Sequence, residues 1–281
     1  MKANIGIRAH DIEHLPLEQL ASVVSRKGLT SVQLALAKSF GSDFETGFGT
    51  LSPGYAHHIG NAFRKENIQI AVLGCYINMI HPNDTERIKE LDRFKEHIRF
   101  ARDFGCSIVG TETGNINPEN VYTEENFTEG PYQKVVNSVR ELVSEAEKHG
   151  VIVGIEGGIN HPIHTPQRMK RLLEDINSNN LQVIFDPVNY LTVDNYLYQE
   201  EVFKEAFELF GERIVILHAK DYIIENNRVK MVPVGTGLLN YKAVFRYIKK
   251  NKPFINILLE NTREPYINDS IAFMQKEYEL V

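Results

Sequence analysis

The segment IVILHAKD (residues 214–221) sets four large apolar residues in a row, three of them β-branched, and then ends on His218. A near-continuous apolar run of this length is the signature of a parallel strand buried on both faces. Three more segments share the design: IVGIEGG (152–158) closes on Glu156, QVIFDPVNY (182–190) on Asp186 and INILLENT (255–262) on Glu260. The gaps between these side chains, 186−156=30, 218−186=32 and 260−218=42, are each about one strand-helix unit long. If successive units lay their strands side by side, all four side chains arrive at one rim of one sheet.

Working outward, short β-rich segments alternate with longer amphipathic ones along the whole chain. Strands are expected at 3–9, 31–36, 68–77, 107–113, 151–157, 182–187, 214–220 and 255–260. Eight such strands close a barrel, so the expected fold is α/β, a single (β/α)8 TIM barrel with residues 1–281 as one domain. Ile88, Leu91, Ile98 and Ala101, and then Val135, Val139, Leu142 and Ala146, recur at helical spacing and predict two apolar helix faces. Ser52-Pro53, Thr165-Pro166 and Gly130-Pro131 mark helix starts, and Gly28, Gly105 and Gly150 mark helix ends. Long connections follow strands two (37–52), four (114–130) and seven (221–239), on the side of a barrel that carries its chemistry. Within the last, DYIIENNRVKMVPVGTG (221–237) reads as a β-hairpin turning at Glu225-Asn226-Asn227.

Composition narrows the function classes. A chain of 281 residues with 42% hydrophobic and 24% charged residues, and no bilayer-length apolar run, is expected to be a soluble globular protein without a membrane partner. No signal-peptide pattern is visible in MKANIGIRAHD, so a cytoplasmic location is expected. A net charge of −6 without a basic stripe speaks against nucleic acid. The two cysteines, Cys75 and Cys106, are read as small buried hydrophobes.

A lone His218 at a strand end is ordinarily a hydrogen-bonded core histidine, and Asp186 before Pro187 is an ordinary turn aspartate. Glu156 and Glu260 each end an apolar run, where burial without a partner carries a large desolvation cost. Four coincidences at consecutive strand ends point to one divalent metal site. Three oxygen donors, one nitrogen and no sulfur suit Mn2+ first, with Mg2+, Co2+ and Zn2+ also compatible. Such a cation acts as a Lewis acid on a carbonyl and its neighbouring hydroxyl, and two facing glutamates supply proton transfer through an ene-diolate held there.

The motifs IEGG, FDPVN, HAKD, PVGTG and LLEN, in this order, resemble those of the xylose isomerase-like TIM-barrel superfamily of sugar isomerases and epimerases, over nearly the whole chain. The resemblance implies metal ligation by Glu156, Asp186, His218 and Glu260, with Glu156 and Glu260 as the acid/base pair, on a small sugar or sugar-derived substrate. Ketose 3-epimerases of that superfamily usually carry histidine three residues after the strand-six aspartate; here the position is Asn189, which favours the broader FDPxN group. Asn189 is nonetheless expected to touch substrate. Lys220 shares the face of His218 and is expected to hold an oxyanion or phosphate, or else to pair with a site carboxylate. Alternation along strand one turns Arg8 and His10 toward the mouth, and His161 lies in the loop beyond Glu156. His57, His58 and His97 are expected on helix surfaces without a role. Gly235 and Gly237 lack the strand-helix context of a phosphate loop and are read as a tight turn.

Three competing functions use the same barrel. A dehydratase or lyase acting on a polyol or inosose would employ the same residues. An apurinic-endonuclease-like phosphodiesterase would need extra histidines that the strand ends LALA (34–37), CYIN (75–78) and TETG (111–114) do not offer. A noncatalytic sugar-binding protein would not need both glutamates. Phe40, Phe44 and Phe48 are expected to cover the pocket or join subunits of a homo-oligomer.

Overall fold

In the computed structural model, which describes residues 2–41 and 44–281, the strands in chain order are β1 (Asn4–Arg8), β2 (Ser31–Leu34), β3 (Gln69–Gly74), β4 (Ile108–Glu112), β5 (Ile152–Glu156), β6 (Leu181–Phe185), β7 (Ile214–Ala219), β8 (Asp221–Glu225), β9 (Arg228–Val232) and β10 (Asn256–Leu259). All but β8 and β9 pair in parallel and close on themselves in the order β1-β10-β7-β6-β5-β4-β3-β2. The helices are α1 (Leu17–Arg26), α2 (Leu36–Phe40), α3 (Pro53–Lys65), α4 (Asp84–Phe100), α5 (Glu129–His149), α6 (Pro166–Ile176), α7 (Gln199–Phe210), α8 (Tyr241–Asn251) and α9 (Ile267–Glu279). The short α2 precedes α3 in the second unit, so each of the eight barrel strands is followed by helix and the α/β TIM barrel is complete.

Local sequence signals account for the boundaries. Ser52 caps α3 by accepting the Tyr55 amide, Thr165 caps α6 by accepting that of Arg168, and a proline follows each at the first helical position. Gly150 ends α5 in the left-handed conformation. Asn226 and Asn227, both at positive φ, turn the antiparallel β8-β9 hairpin where the sequence places it.

Inside the barrel the period of two along each strand sets layers of side chains. Val72, Ile184, Ile216 and Leu258 form a small interior cluster. Their bulk requires glycine on the facing strands: a Cβ on Gly110 would lie 2.6 Å from Ile184 Cδ1 and 2.8 Å from Val72 Cγ1. A Cβ on Gly6 would meet Ser31 at 2.3 Å and Leu258 Cδ2 at 2.8 Å. Two residues further along the same strands, the next inward layer contains Arg8, Gln33, Glu112, Glu156, Asp186, His218 and Glu260. The apolar floor thus presents a polar layer to the mouth.

Several expectations are corrected. Ile88 is 50% exposed, and the buried face of α4 consists instead of Leu91, Phe94 and Ile98. His97 is buried on that face, not at the surface, and its Nδ1 lies 2.9 Å from the Arg93 carbonyl; it sits three residues after Phe94, on the stripe that faces the barrel. Phe40 is buried, and Phe44 packs on Phe40 and on Tyr55 of α3, so these rings serve the helix layer while Phe48 remains exposed. Ser42 and Asp43, in the connection 37–52, lie outside the described residues. Among the described residues no helix is long and apolar enough to cross a membrane.

Candidate active site

Glu156 is the last residue of β5, Asp186 follows β6 directly, His218 is the penultimate residue of β7 and Glu260 follows β10. Because β5, β6, β7 and β10 are neighbours in the ring, the four side chains converge, all buried, with one ligand-competent atom from each within 4.8 Å of the others. His218 Nδ1 lies 2.9 Å from Glu260 Oε2 and 3.2 Å from Glu156 Oε2.

Each carboxylate has one oxygen anchored by the scaffold. Glu156 Oε1 accepts from Asn189 Nδ2 at 2.8 Å, Asp186 Oδ1 accepts the Val188 amide at 2.9 Å, and Glu260 Oε1 meets Arg8 Nη1 and Lys220 Nζ at 2.8 Å each. The second oxygens face inward. Asp186 Oδ2, Glu260 Oε2 and His218 Nδ1 are buried and form no aligned hydrogen bond, although Lys220 Nζ approaches Asp186 Oδ2 to 2.6 Å. Close approach without hydrogen-bond alignment leaves these atoms disposed toward a common centre.

The electrostatics follow from this crowding. Burial opposes charge on His218, but Glu156 and Glu260 more than offset it and raise its pKa to about 10. Burial raises Asp186 to about 6 against the pull of Lys220. Glu260, despite burial, is held well below the usual carboxylate range by Lys220, His218 and Arg8. Lys220 is raised, since Asp186 and Glu260 outweigh its desolvation.

The other expected residues fall into two groups. Lys220 reaches the cage and also donates to Asn189 Oδ1 at 2.9 Å, so Asn189 bridges Glu156 and Lys220. Arg8 is braced by Asp11 at 2.8 Å while it holds Glu260. His161 and His10 stand on the rim, outside the cage. His161 Nδ1 is 2.9 Å from the Gly114 carbonyl, and its Nε2 is 3.8 Å from Glu112 Oε2. His10 lies in a 3-10 turn (Ala9–Asp11), beyond the end of β1, with its ring edge-on to Tyr76; burial and Arg8 lower its pKa to about 4.

Two residues escaped the sequence reading. Gln33 Oε1 accepts from His218 Nε2 at 2.7 Å, and Gln33 Nε2 donates to Tyr76 Oη at 2.6 Å. Gln33 is the one polar residue inside the run VQLALA (32–37), the signal that could have found it. Tyr76 lies just past β3 and carries no such mark.

The VGTG turn cradles a carboxylate of its own chain. Asp221 accepts the backbone amides of Gly235 and Gly237 at 3.0 Å each, and that of Leu239 at 3.0 Å. A Cβ on Gly237 would lie 2.2 Å from Asp221 Oδ1, which requires glycine there.

Comparisons with known proteins agree with this architecture. The uncharacterized protein MJ1311 of Methanocaldococcus jannaschii is 24% identical over 207 residues, covering 71% of this chain and 67% of that relative. A crystal structure of a D-tagatose 3-epimerase-like protein superposes with a TM-score of 0.76 at 19% identity, covering 100% of this chain and 98% of the other. The probable 3-DHS dehydratase AsbF, involved in petrobactin synthesis in Bacillus anthracis, gives 0.72 at 16% identity, with 98% and 97% covered. At such identities the structural likeness speaks for the fold. The profile of one family, described as xylose isomerase-like TIM barrel, matches residues 22–277, nearly the whole of the sequence, and the chain belongs to that family.

Proposed function

We propose that the chain is a divalent-metal-dependent isomerase or epimerase of a sugar or sugar derivative, in which Glu156, Asp186, His218 and Glu260 hold the cation and Glu156 and Glu260 move the proton. The observation that carries this reading is the set of inward atoms, Asp186 Oδ2, His218 Nδ1 and Glu260 Oε2, which are buried without an aligned hydrogen bond. They crowd one another and Lys220 without hydrogen-bond alignment, and a divalent cation at their common centre would satisfy all three at once. The donor set of three oxygens and one nitrogen fits Mn2+ first. When bound, such an ion polarises a carbonyl and its neighbouring hydroxyl and makes the C–H beside them more acidic.

The residues of the chain do the rest. Glu156 and Glu260 come from strands separated by β6 and β7, so they approach a substrate from different sides. Glu260 is held ionised by the cations around it and enters the cycle as a proton acceptor. When a carboxylate takes the proton from carbon, the C–H electron pair moves toward the adjacent carbonyl oxygen, and Lys220 places a buried positive charge beside that change. Returning the proton to the same carbon from the other side inverts it; returning it to the neighbouring carbon, while that carbon's hydroxyl proton passes to the former carbonyl oxygen, moves the carbonyl. Asn189 ties Glu156 to Lys220 and fixes the distance between the proton carrier and the charge that follows it.

Incubation with ketoses, keto acids and inososes in D2O with Mn2+ tests the reading. Deuterium is expected at the substrate carbon, and Glu156→Gln or Glu260→Gln is expected to abolish it in a folded protein. Unchanged exchange in both variants removes the acid/base assignment. The likeness to a dehydratase supports a second reading on the same residues, in which the electron pair expels a β-hydroxyl. A product lighter by one water identifies that outcome.

A further inference from the structure

A relay of hydrogen bonds runs from the cage to the far wall of the barrel, and its direction is forced. His218 Nδ1 faces Glu156 and Glu260. Whether the ring is doubly protonated or ligates a cation through Nδ1, Nε2 bears a proton, and Gln33 Oε1 accepts it at 2.7 Å. A carboxamide accepts only through its oxygen, so Gln33 Nε2 is left to donate, and it does so to Tyr76 Oη at 2.6 Å. The phenol oxygen is therefore the acceptor of that bond, and its own hydrogen is left over. Among the described residues the Tyr76 O–H meets no acceptor.

Tyr76 is held on every side but this one. Arg93 Nη2 donates to its carbonyl, the Lys38 ammonium sits 3.6 Å above the ring centroid, and the His10 ring stands edge-on at 6.3 Å. The residue is still partly exposed at the mouth. Burial and the negative charges of Glu156, Glu260 and Glu112 raise its pKa against the pull of Arg8, so the phenol stays a neutral donor across the neutral range. Tyr76 follows β3 and Lys220 follows β7, on opposite sides of the ring, so donors approach the mouth from both walls.

We propose that Tyr76 is a catalytic residue whose O–H donates to a substrate oxygen on which negative charge develops as the proton leaves carbon. The inference rests on the proposed function and adds to the cage a neutral donor that sequence reading did not find. A hydrogen bond of this kind strengthens as the oxygen gains charge, so it favours the transition state over the bound substrate.

Calorimetric titration of the Mn2+-saturated protein with glycolohydroxamate, a planar anion shaped like an ene-diolate, tests this without turnover. Tyr76→Phe keeps the ring beneath Lys38 and removes only the hydroxyl. The variant is expected to bind the hydroxamate about 10- to 100-fold more weakly than wild type, the usual effect of losing a hydrogen bond to a charged group, while its Mn2+ affinity falls by a smaller factor. A hydroxamate loss no larger than the Mn2+ loss would make Tyr76 only a brace for Gln33 and overturns the proposal. A wild type that binds Mn2+ but no hydroxamate overturns it as well. A wild type that takes up no Mn2+ sinks the proposed function and this inference together. Unchanged deuterium exchange in the two glutamine variants removes the acid/base assignment alone, since the titration does not depend on it.

Discussion

His218 Nε2 donates to Gln33 Oε1 at 2.7 Å, across the barrel from β7 to β2. This contact fixes a proton on Nε2 and turns Nδ1 toward Glu156 and Glu260. Gln33→Leu should therefore keep the fold but weaken Mn2+ binding by about 10- to 100-fold, the usual effect of losing a group that orients a metal-ligating histidine. Calorimetric titration with Mn2+ checks this, and an unchanged affinity would show that packing alone orients the ring.

Metal binding should release protons. With a pKa raised to about 10, His218 is protonated at neutral pH in the metal-free protein, and a cation must displace the proton on Nδ1. Affinity should rise with pH up to about 10 and fall off steeply below about 6, where Asp186 also protonates. Titration at pH 7.5 in two buffers of different ionisation enthalpy should give different apparent heats, and identical heats would contradict the linkage.

His97 makes stability pH-dependent in the acid range. Burial lowers its pKa from 6.5 to about 4, so between those values the unfolded chain binds a proton that the folded chain refuses. Its contribution is complete above pH 6.5 and is lost as the pH falls toward 4, by roughly 3 kcal/mol. Urea denaturation between pH 4 and 8 should show a shallower pH dependence for His97→Gln than for wild type.

Gly237→Ala tests the self-filled turn. The added methyl would lie 2.2 Å from Asp221 Oδ1 and 2.4 Å from the Tyr222 carbonyl, so the loop must shift. A loss of about 1–3 kcal/mol is expected in thermal or urea denaturation. Wild-type stability would show that the Asp221 cradle is loose.

The barrel was legible because near-continuous apolar runs alternate with longer segments of helical period. The metal-competent set was legible for a narrower reason: Glu156, Asp186, His218 and Glu260 interrupt apolar runs that otherwise exclude charge. Gln33 obeys the same rule but is neutral, and β2 is so short that one amide in it carries little signal. Tyr76 acts through contacts between distant segments, and nothing in its local sequence distinguishes it from a packing residue. His10 followed the strand alternation on paper, yet the chain leaves β1 after Arg8 and turns, because Asp11 is drawn back to Arg8 and to the Asn261 amide. His97 is buried for the opposite reason, since it stands on the helical stripe of Phe94, Ile98 and Ala101 and goes inward with it.

The most direct measurement is the metal content of purified protein after equilibration with Mn2+ and removal of free ion, compared with Asp186→Asn. One equivalent of ion per chain in the wild type, and about a hundredfold weaker retention in the variant, is expected from the loss of an anionic ligand. Substoichiometric metal in the wild type at saturating Mn2+, or equal retention by Asp186→Asn, would contradict the cage of Glu156, Asp186, His218 and Glu260.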